Sequence, residues 1–564
     1  MKDKTKYIDL MERTLEAYSY QYIEAYFKTV QKEGLTEHGF PRLTANIGIL
    51  LSYGRKQELL PIFLQMMDFC CENIPRVKAA NDFSVKEIVF CIMALENPDC
   101  KNPGIVSAER IQSWKRQLES IEPHSCYNKY ALKPEDVVHN WGLFTAVSEY
   151  MRTLTGLADT TEFIELQLAS QMHWMDENGM YRDGDHMVYD LVPRGLFSVL
   201  LHFGYQGKYY ADIDRHLRKA GLLTLKMQSV IGEAPYGGRS NQFLHNEAHL
   251  AVIFEFEARR YAKEGNHQLA GQFKAAAHKA LDCIDLWLSC HPISHVKNHF
   301  PLESMYGCEE YAYFDKYMIT LASFLYVAYF LCDDGIAETE PVWEAPYTCC
   351  TSEHFHKIFL QAGGYFLEFD TKANMRYDAN GLGRVHKQGA PSTICLSLPC
   401  CANPRYVLDM EEAVNISLCP GCISNGEPIF AENTESCYEL TSLEHSDTNA
   451  CAVFEVTLPN SRKITAAYDA DASGVAINVT GEGEVVHMLP AFAYDGETAS
   501  EIKADTKHLT VTYQGFCCSY TADGEIVDTG KMGGSRNGHY RRFYAKGTGS
   551  LSLKIEITKS IKCM

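Results

Sequence analysis

The chain has no surplus of positive charge to offer a polyanion. Its 564 residues carry 52 Lys and Arg against 72 Asp and Glu, a formal net charge of -20. Such a surface repels nucleic acid and anionic membranes, so neither is expected as a partner. An acidic substrate would need a local cluster of Arg, His and Asn to overcome the same field. A long apolar run is missing too. The longest, Met318 to Cys332, is interrupted by Thr320, Ser323 and Tyr326 and is too short for a membrane span. No apolar signal core follows Met1-Lys2-Asp3-Lys4-Thr5-Lys6, which leads to the expectation of a cytoplasmic location. Cys419-Pro420-Gly421-Cys422 lacks a second pair at zinc-binding spacing and reads as a turn between strands. His291, His295 and His299 are evenly spaced, but Pro292 and the polar residues around them do not make a metal-binding helix. No metal and no other cofactor is expected. Short repeats are absent, which disfavours a regular solenoid.

What is present is the composition of a soluble globular protein, 46% hydrophobic and 22% charged. The length calls for two or more domains. The 21 cysteines, several in adjacent pairs such as Cys70-Cys71 and Cys400-Cys401, are read as reduced thiols. Up to about residue 335 the apolar spacing is helical in segment after segment, from Tyr7 to Val30 through Tyr313 to Leu331. From Tyr365 onward it alternates with period two, as in Thr393 to Leu398, Ala452 to Leu458 and Leu551 to Ile557. Helices followed by strands indicate segregated layers, not an interleaved α/β sheet. The expected fold is therefore α+β and multidomain. Residues 1–340 form an α/α toroid, an incomplete or closed double ring of helices, and residues 341–564 an antiparallel β-sandwich.

Polar chemistry is concentrated at helix starts. Pro235 to His249 begins as a glycine turn at Gly237-Gly238 and becomes a helix for which Ser240 or Asn241 is the expected cap. Its first turn carries Arg239, Asn241, Gln242, His245, Asn246, Glu247 and His249, more hydrogen-bonding groups than a cap requires. His139-Asn140-Trp141 starts another helix, where an indole can stack a sugar ring and an amide can bind hydroxyls or a carboxylate. Tyr189 starts a third, after the polar turn Asp176 to Met187. Glu309, Glu310 and Tyr311 precede a fourth, and neighbouring residues on a helix point apart, so at most one of the two carboxylates faces a pocket. In the strand half, Arg384 and His386 share one strand face. Arg536, His539 and Arg541 form a further basic group, for which a surface position is the default.

Together these stretches resemble the heparinase II/III-like and alginate lyase superfamily. The run Asn178 to Tyr189 looks like that family's turn leading to its catalytic tyrosine, a place that falls on Tyr189. His139-Asn140 looks like its Asn/His pair that neutralises a uronate carboxylate, in inverted order, and Arg384 and His386 look like basic residues from its first sandwich strands. The resemblance implies a toroid followed by a sandwich, with the site between them, and an oligosaccharide containing uronic acid as substrate.

A lyase must neutralise the carboxylate so that the C5 proton can leave, a task for His139, Asn140 and Arg239. Tyr189 or His245 would be the base, and the tyrosine would then protonate the leaving oxygen. Trp141, Asn241, Gln242, Asn246, Glu309, Tyr311, Arg384 and His386 complete the expected substrate-binding set. A glucuronidase-like hydrolase on the same fold would instead need two carboxylates flanking the bond. Glu247 with Glu309, Glu310 or Asp185 would supply them. A non-catalytic sugar-binding protein is the third reading. Oligomeric state is left open, a homo-oligomer included.

Overall fold

The computed structural model describes residues 3–79, 81–98, 100–184 and 186–560. Helices fill the first part: α1 Thr5–Leu15, α2 Tyr20–Glu33, α3 Gly39–Ser52, α4 Leu60–Asn73, α5 Asn81–Glu96, α6 Ala108–Glu119, α7 Pro123–Cys126, α8 Asn140–Leu154, α9 Thr161–Ala169, α10 Val188–His202, α11 Tyr210–Met227, α12 His245–Lys263, α13 His267–Leu288 and α14 Phe314–Leu331.

Two kinds of helix are present. Every residue of α3 is buried, and nearly every residue of α8, α10 and α12 is too, so these have no solvent face. Helices that are apolar all round belong inside. The outer ones are one-sided. α2 buries only Ile23, Phe27 and Val30, and α6 only Ile111, Trp114 and Leu118, at helical spacing. Packing follows this division. α3 meets α5, α5 meets α8, α8 meets α10, α10 meets α12, α12 meets α14, and α14 returns to α3, which closes the inner ring. α4, α9, α11 and α13 lie outside it against α3, α8, α10 and α12. The helical half is a closed double ring. The segment Tyr7 to Val30 is two helices, not one. The chain turns after Leu15, and Ser19 caps the second helix by accepting from the Tyr22 N–H at 3.1 Å.

The strands follow: β1 Tyr347–Cys350, β2 Lys357–Ala362, β3 Tyr365–Asp370, β4 Gly381–Lys387, β5 Pro420–Ser424, β6 Glu427–Phe430, β7 Cys437–His445, β8 Ala450–Thr457, β9 Lys463–Asp471, β10 Gly474–Tyr494, β11 Glu501–Ala504, β12 His508–Tyr513, β13 Phe516–Ala522, β14 Glu525–Ser535 and β15 Gly538–Lys559. β1 to β4 form a four-stranded antiparallel sheet in sequence order; the rest form an 11-stranded sheet built on the long pair β10 and β15. Cys419 and Cys422 do not flank a turn. Pro420 is the first residue of β5, opposite His487 of β10, a position where a missing N–H is tolerated.

The small sheet is the middle layer. Ile358, Leu360, Leu367 and Phe369 pack into the core shared with the large sheet, while Phe359 and Phe366 pack into the helical core. Strand alternation therefore turns Lys357, Glu368, Asp370, Arg384 and His386 toward the toroid as well. All are buried, and the next section shows what they meet.

Candidate functional site

A cleft of about 310 Å³ opens at one mouth of the ring. Its lining comes from the first turns of the inner helices: His38 and Arg42 of α3, Phe83 of α5, Asn140, Trp141 and Phe144 of α8, Tyr189 of α10, His245 and His249 of α12, and Lys316, Tyr317 and Thr320 of α14. Arg239 and Tyr311 close the rim from the preceding loops. Every inner helix thus presents its N-terminus to this cleft. Orphan N–H groups and positive helix ends favour negative charge there. No carboxylate lines it among the described residues. This local field is what a chain of net charge -20 needs in order to hold an anion.

The chemistry centres on Tyr189 and Arg239. The guanidinium lies 3.9 Å above the phenol ring. Burial pushes the Tyr189 phenol up, and the Arg239 charge and the Ser240 hydroxyl pull it back without cancelling the rise. Behind them, Arg239 comes within 4.0 Å of Asp183, and His139 Nδ1 within 3.5 Å of the other oxygen of the same carboxylate. His245 is buried and held down to about 3 by burial and then by His295, Arg42 and Lys297, so it is a neutral imidazole at physiological pH. Among the described residues no hydrogen bond closes on His38 Nδ1, His245 Nδ1 or either ring nitrogen of His249. Buried polar atoms normally have partners, so a cleft with open imidazole nitrogens is suited to a polar ligand.

Of the residues singled out from the sequence, Asn140, Trp141, Tyr189, Arg239, His245 and Tyr311 meet in this cleft. His139 stands behind it, on Asp183 and against Trp174 with ring centroids 5.2 Å apart. Asn241, Gln242 and Asn246 do not face the cleft. Asn241 donates to the Pro235 carbonyl, Gln242 to Asn241, and Asn246 to the Ser240 carbonyl. Neither Ser240 nor Asn241 caps α12. Ser240 and Gln242 have φ of 55° and 64°, and the helix starts only at His245 after Leu244 N–H has bonded to His295 O. Glu310 is exposed, and Asp185 lies outside the described residues.

The remaining charged candidates belong to a different structure, the seam between toroid and sandwich. Lys297 Nζ is 2.7 Å from Glu247 and 3.6 Å from Glu233. Glu233 is 3.4 Å from Arg384, which is 3.1 Å from Glu368. Lys357 lies 3.3 Å from Glu368 and 3.1 Å from Asp370, which bonds His356 at 2.7 Å. The signs alternate along an unbroken buried chain. Each charge inside the chain has an opposite neighbour on either side, which offsets the cost of burying it. Tyr236 is locked into it, with its N–H on Glu368 at 3.0 Å and its ring 3.3 Å from Lys357 Nζ. Gly383 of β4 leaves room for it: a Cβ there would lie 2.1 Å from the Tyr236 hydroxyl. His386 is equally closed off, on Ser229 at 2.6 Å.

A second link was not legible in the sequence. Arg536, read as a surface residue, is buried and reaches from the β14–β15 hairpin into the toroid mouth. It pairs with Glu309 at 2.6 Å and also donates to the Gly307 and Gly238 carbonyls. Glu309 in turn accepts from the Ser240 N–H at 2.8 Å. His249, from the polar turn singled out in the sequence, also faces the cleft, whereas His38, Arg42, Lys316 and Tyr317 were missed. Each of the latter is a single polar residue near a helix start, and no local pattern marks it out.

No protein-family model and no curated protein matches the chain. Among solved structures it is similar to a heparan sulfate lyase mutant from Pedobacter heparinus, at 8% identity and a TM-score of 0.48, over 93% of this chain and 77% of that one. It is similar to the chondroitin AC lyase of Streptomyces coelicolor A3 in complex with chondroitin sulphate, at 10% identity and 0.45, over 97% and 82%. A Paenibacillus xanthan lyase gives 8% and 0.47, over 91% and 53%. These structural neighbours are polysaccharide lyases. The double ring and sandwich described above rest on this chain's own elements.

Proposed function

We propose that the protein is a lyase that cleaves uronic-acid-containing oligosaccharides by β-elimination. One observation carries this reading: a phenol sits under a guanidinium, in a cleft lined by cations, imidazoles and amides, with no carboxylate among the described lining residues. Asn140, Arg239 and the convergent helix ends would neutralise the uronate carboxylate, which makes the C5 proton removable. Tyr189 as phenolate takes that proton. The C5–H electrons form the C4–C5 double bond, the C4–O bond breaks, and Tyr189 returns the proton to the leaving oxygen. Trp141 offers a stacking face for the ring. Neutral His245 can orient hydroxyls but is too weak a base for the first step.

Among the described residues, the hydrolase reading has no carboxylate in the cleft. Glu247 is spent on Lys297 and Glu309 on Arg536, both out of the cleft. The test is to incubate the protein with uronic-acid oligosaccharides and follow ultraviolet absorbance of the new double bond conjugated to the carboxylate. Absorbance that rises with chain cleavage supports the lyase. New reducing ends without absorbance refute it.

A further inference from the structure

Three tyrosine hydroxyls converge on one serine. Ser240 Oγ lies 3.0 Å from Tyr311 Oη, 3.2 Å from Tyr317 Oη and 3.4 Å from Tyr189 Oη. The serine is 1% exposed and sits at φ 55°, a left-handed conformation that costs a non-glycine residue energy. Its backbone is pinned on every side. The N–H donates to Glu309 and the carbonyl accepts from Asn246 at 3.2 Å. Two residues earlier, Gly238 N–H is held by Asp378 at 3.0 Å and its carbonyl by Arg536. The strained conformation is thus enforced from the sandwich, through Arg536 and Glu309, and what it fixes is the position of one hydroxyl.

A serine hydroxyl has one proton to give and two lone pairs to receive. With three phenols around it, it can accept from two and donate to one. The phenol that receives the serine proton owes none in return. Its own O–H is left to point into the cleft or to be lost. Only one of the three rings has a guanidinium stacked on its face, and that is Tyr189.

We propose that Ser240 is a positioning residue for the elimination: it donates to Tyr189 Oη, accepts from Tyr311 and Tyr317, and so holds Tyr189 in its proton-accepting form. The inference rests on the lyase reading of the cleft. Hydrogen bonds in such a chain polarise one another, so the two donating tyrosines strengthen the bond to the third. The charged, titratable and hydrogen-bonding groups facing Tyr189 come from several elements. They are Arg239 and Ser240 of the glycine turn, Asp183 of the loop before α10, Glu309 and Tyr311 of the loop before α14, Tyr317 on α14 itself and His245 on α12. Asp183 and Glu309 oppose the phenolate. Arg239 and the serine proton favour it.

The informative variant is Ser240→Gly, because glycine adopts this φ without strain while the side chain that carries the hydroxyl is removed. On a uronic-acid oligosaccharide that the wild type converts to unsaturated product, kcat should fall about 10- to 100-fold, the loss typical of one hydrogen bond to a charged group. KM should stay within about twofold, and the acid limb of the pH–rate profile should move to higher pH, with activity recovered under alkaline conditions. The ultraviolet titration of phenolate absorbance, taken as wild type minus Tyr189→Phe, should move the same way without any substrate. Tyr311→Phe combined with Tyr317→Phe leaves Ser240 in place and should give a smaller shift in the same direction; it carries the test if Ser240→Gly does not fold. A folded Ser240→Gly with wild-type kcat and acid limb overturns the proposal. So does a loss of kcat that is uniform with pH. If Tyr189→Phe itself keeps its turnover, the lyase reading fails and this inference goes with it. An inactive Tyr189→Phe beside a fully active Ser240→Gly removes this inference alone.

Discussion

The cleft and the seam are built from the same residue types, and one short segment feeds both. Arg239, Ser240 and His245 turn to the cleft, while Tyr236 and Glu247 turn to the seam. In the seam the charges alternate in sign along a closed, buried chain. In the cleft the lining is cationic or neutral, and several imidazole nitrogens have no partner among the described residues. The difference separates a binding surface from an interlayer joint. A polar, ionisable stretch is a candidate site when it lines an open cleft, and a joint when it is closed in between two layers.

The sharpest test of this contrast is Tyr189→Phe. It keeps the ring under Arg239 and removes the acid–base hydroxyl. Turnover should fall by a factor of ~10² to 10⁴, while the denaturation midpoint barely moves, since one hydroxyl in a wet cleft contributes about 1 kcal/mol. Retained turnover in a folded variant would place the catalytic groups elsewhere.

Arg384→Met should do the opposite. It leaves Glu233 and Glu368 buried without their shared cation, at a cost of roughly 3–5 kcal/mol. That is a large share of a typical domain's stability of about 5–15 kcal/mol. Chemical denaturation should show a much earlier midpoint, with part of it restored by adding Glu368→Leu. An unchanged midpoint would mean the seam is not a joint.

Glu247→Gln is the milder seam variant. The amide still accepts from the Ala234 N–H but no longer neutralises Lys297. We expect a loss of about 1–3 kcal/mol in stability and turnover per folded molecule within a few-fold of wild type. If turnover instead drops as far as in Tyr189→Phe, the division between the two regions is wrong and the carboxylate chemistry returns.

The smallest effect is in acid. His245 in the cleft is held at about 3 in the fold against 6.5 when exposed, chiefly by burial. The unfolded chain therefore binds the extra proton first. The stability that neutral His245 contributes is complete above 6.5 and is lost as pH falls toward 3. Asp370 in the seam behaves differently. Burial pushes it up, yet Lys357 and His356 carry it down to about 2 from 3.8, so its contribution is lost only as pH falls from 3.8 through 2. Melting temperature against pH should show two windows, and His245→Asn should lessen the slope in the first only, where other buried histidines such as His295 also titrate. A single common window would erase the distinction.

Local pattern was enough for the layers. Apolar residues at helical spacing marked the helices, and period-two strands had to form sheets. The concentration of polar groups at helix starts already pointed to the ring's mouth, because helix ends are where side chains and backbone together can bind a ligand. Asn140, Trp141, Tyr189, Arg239, His245 and Tyr311 were legible on that ground. What pattern could not do was assign partners. Glu247, Glu309, Arg384 and His386 read as site chemistry, yet each is buried against an opposite charge or a hydroxyl. Arg536 read as surface and is a buried bridge between the halves. Each of these residues meets something far away in sequence: Glu309 and Arg536 are 227 residues apart. Charge type, secondary structure and layer order are properties of short stretches, and the sequence by itself determined them. Whether a charge is compensated depends on which distant groups packing brings within a few ångströms, and only the tertiary structure decided that.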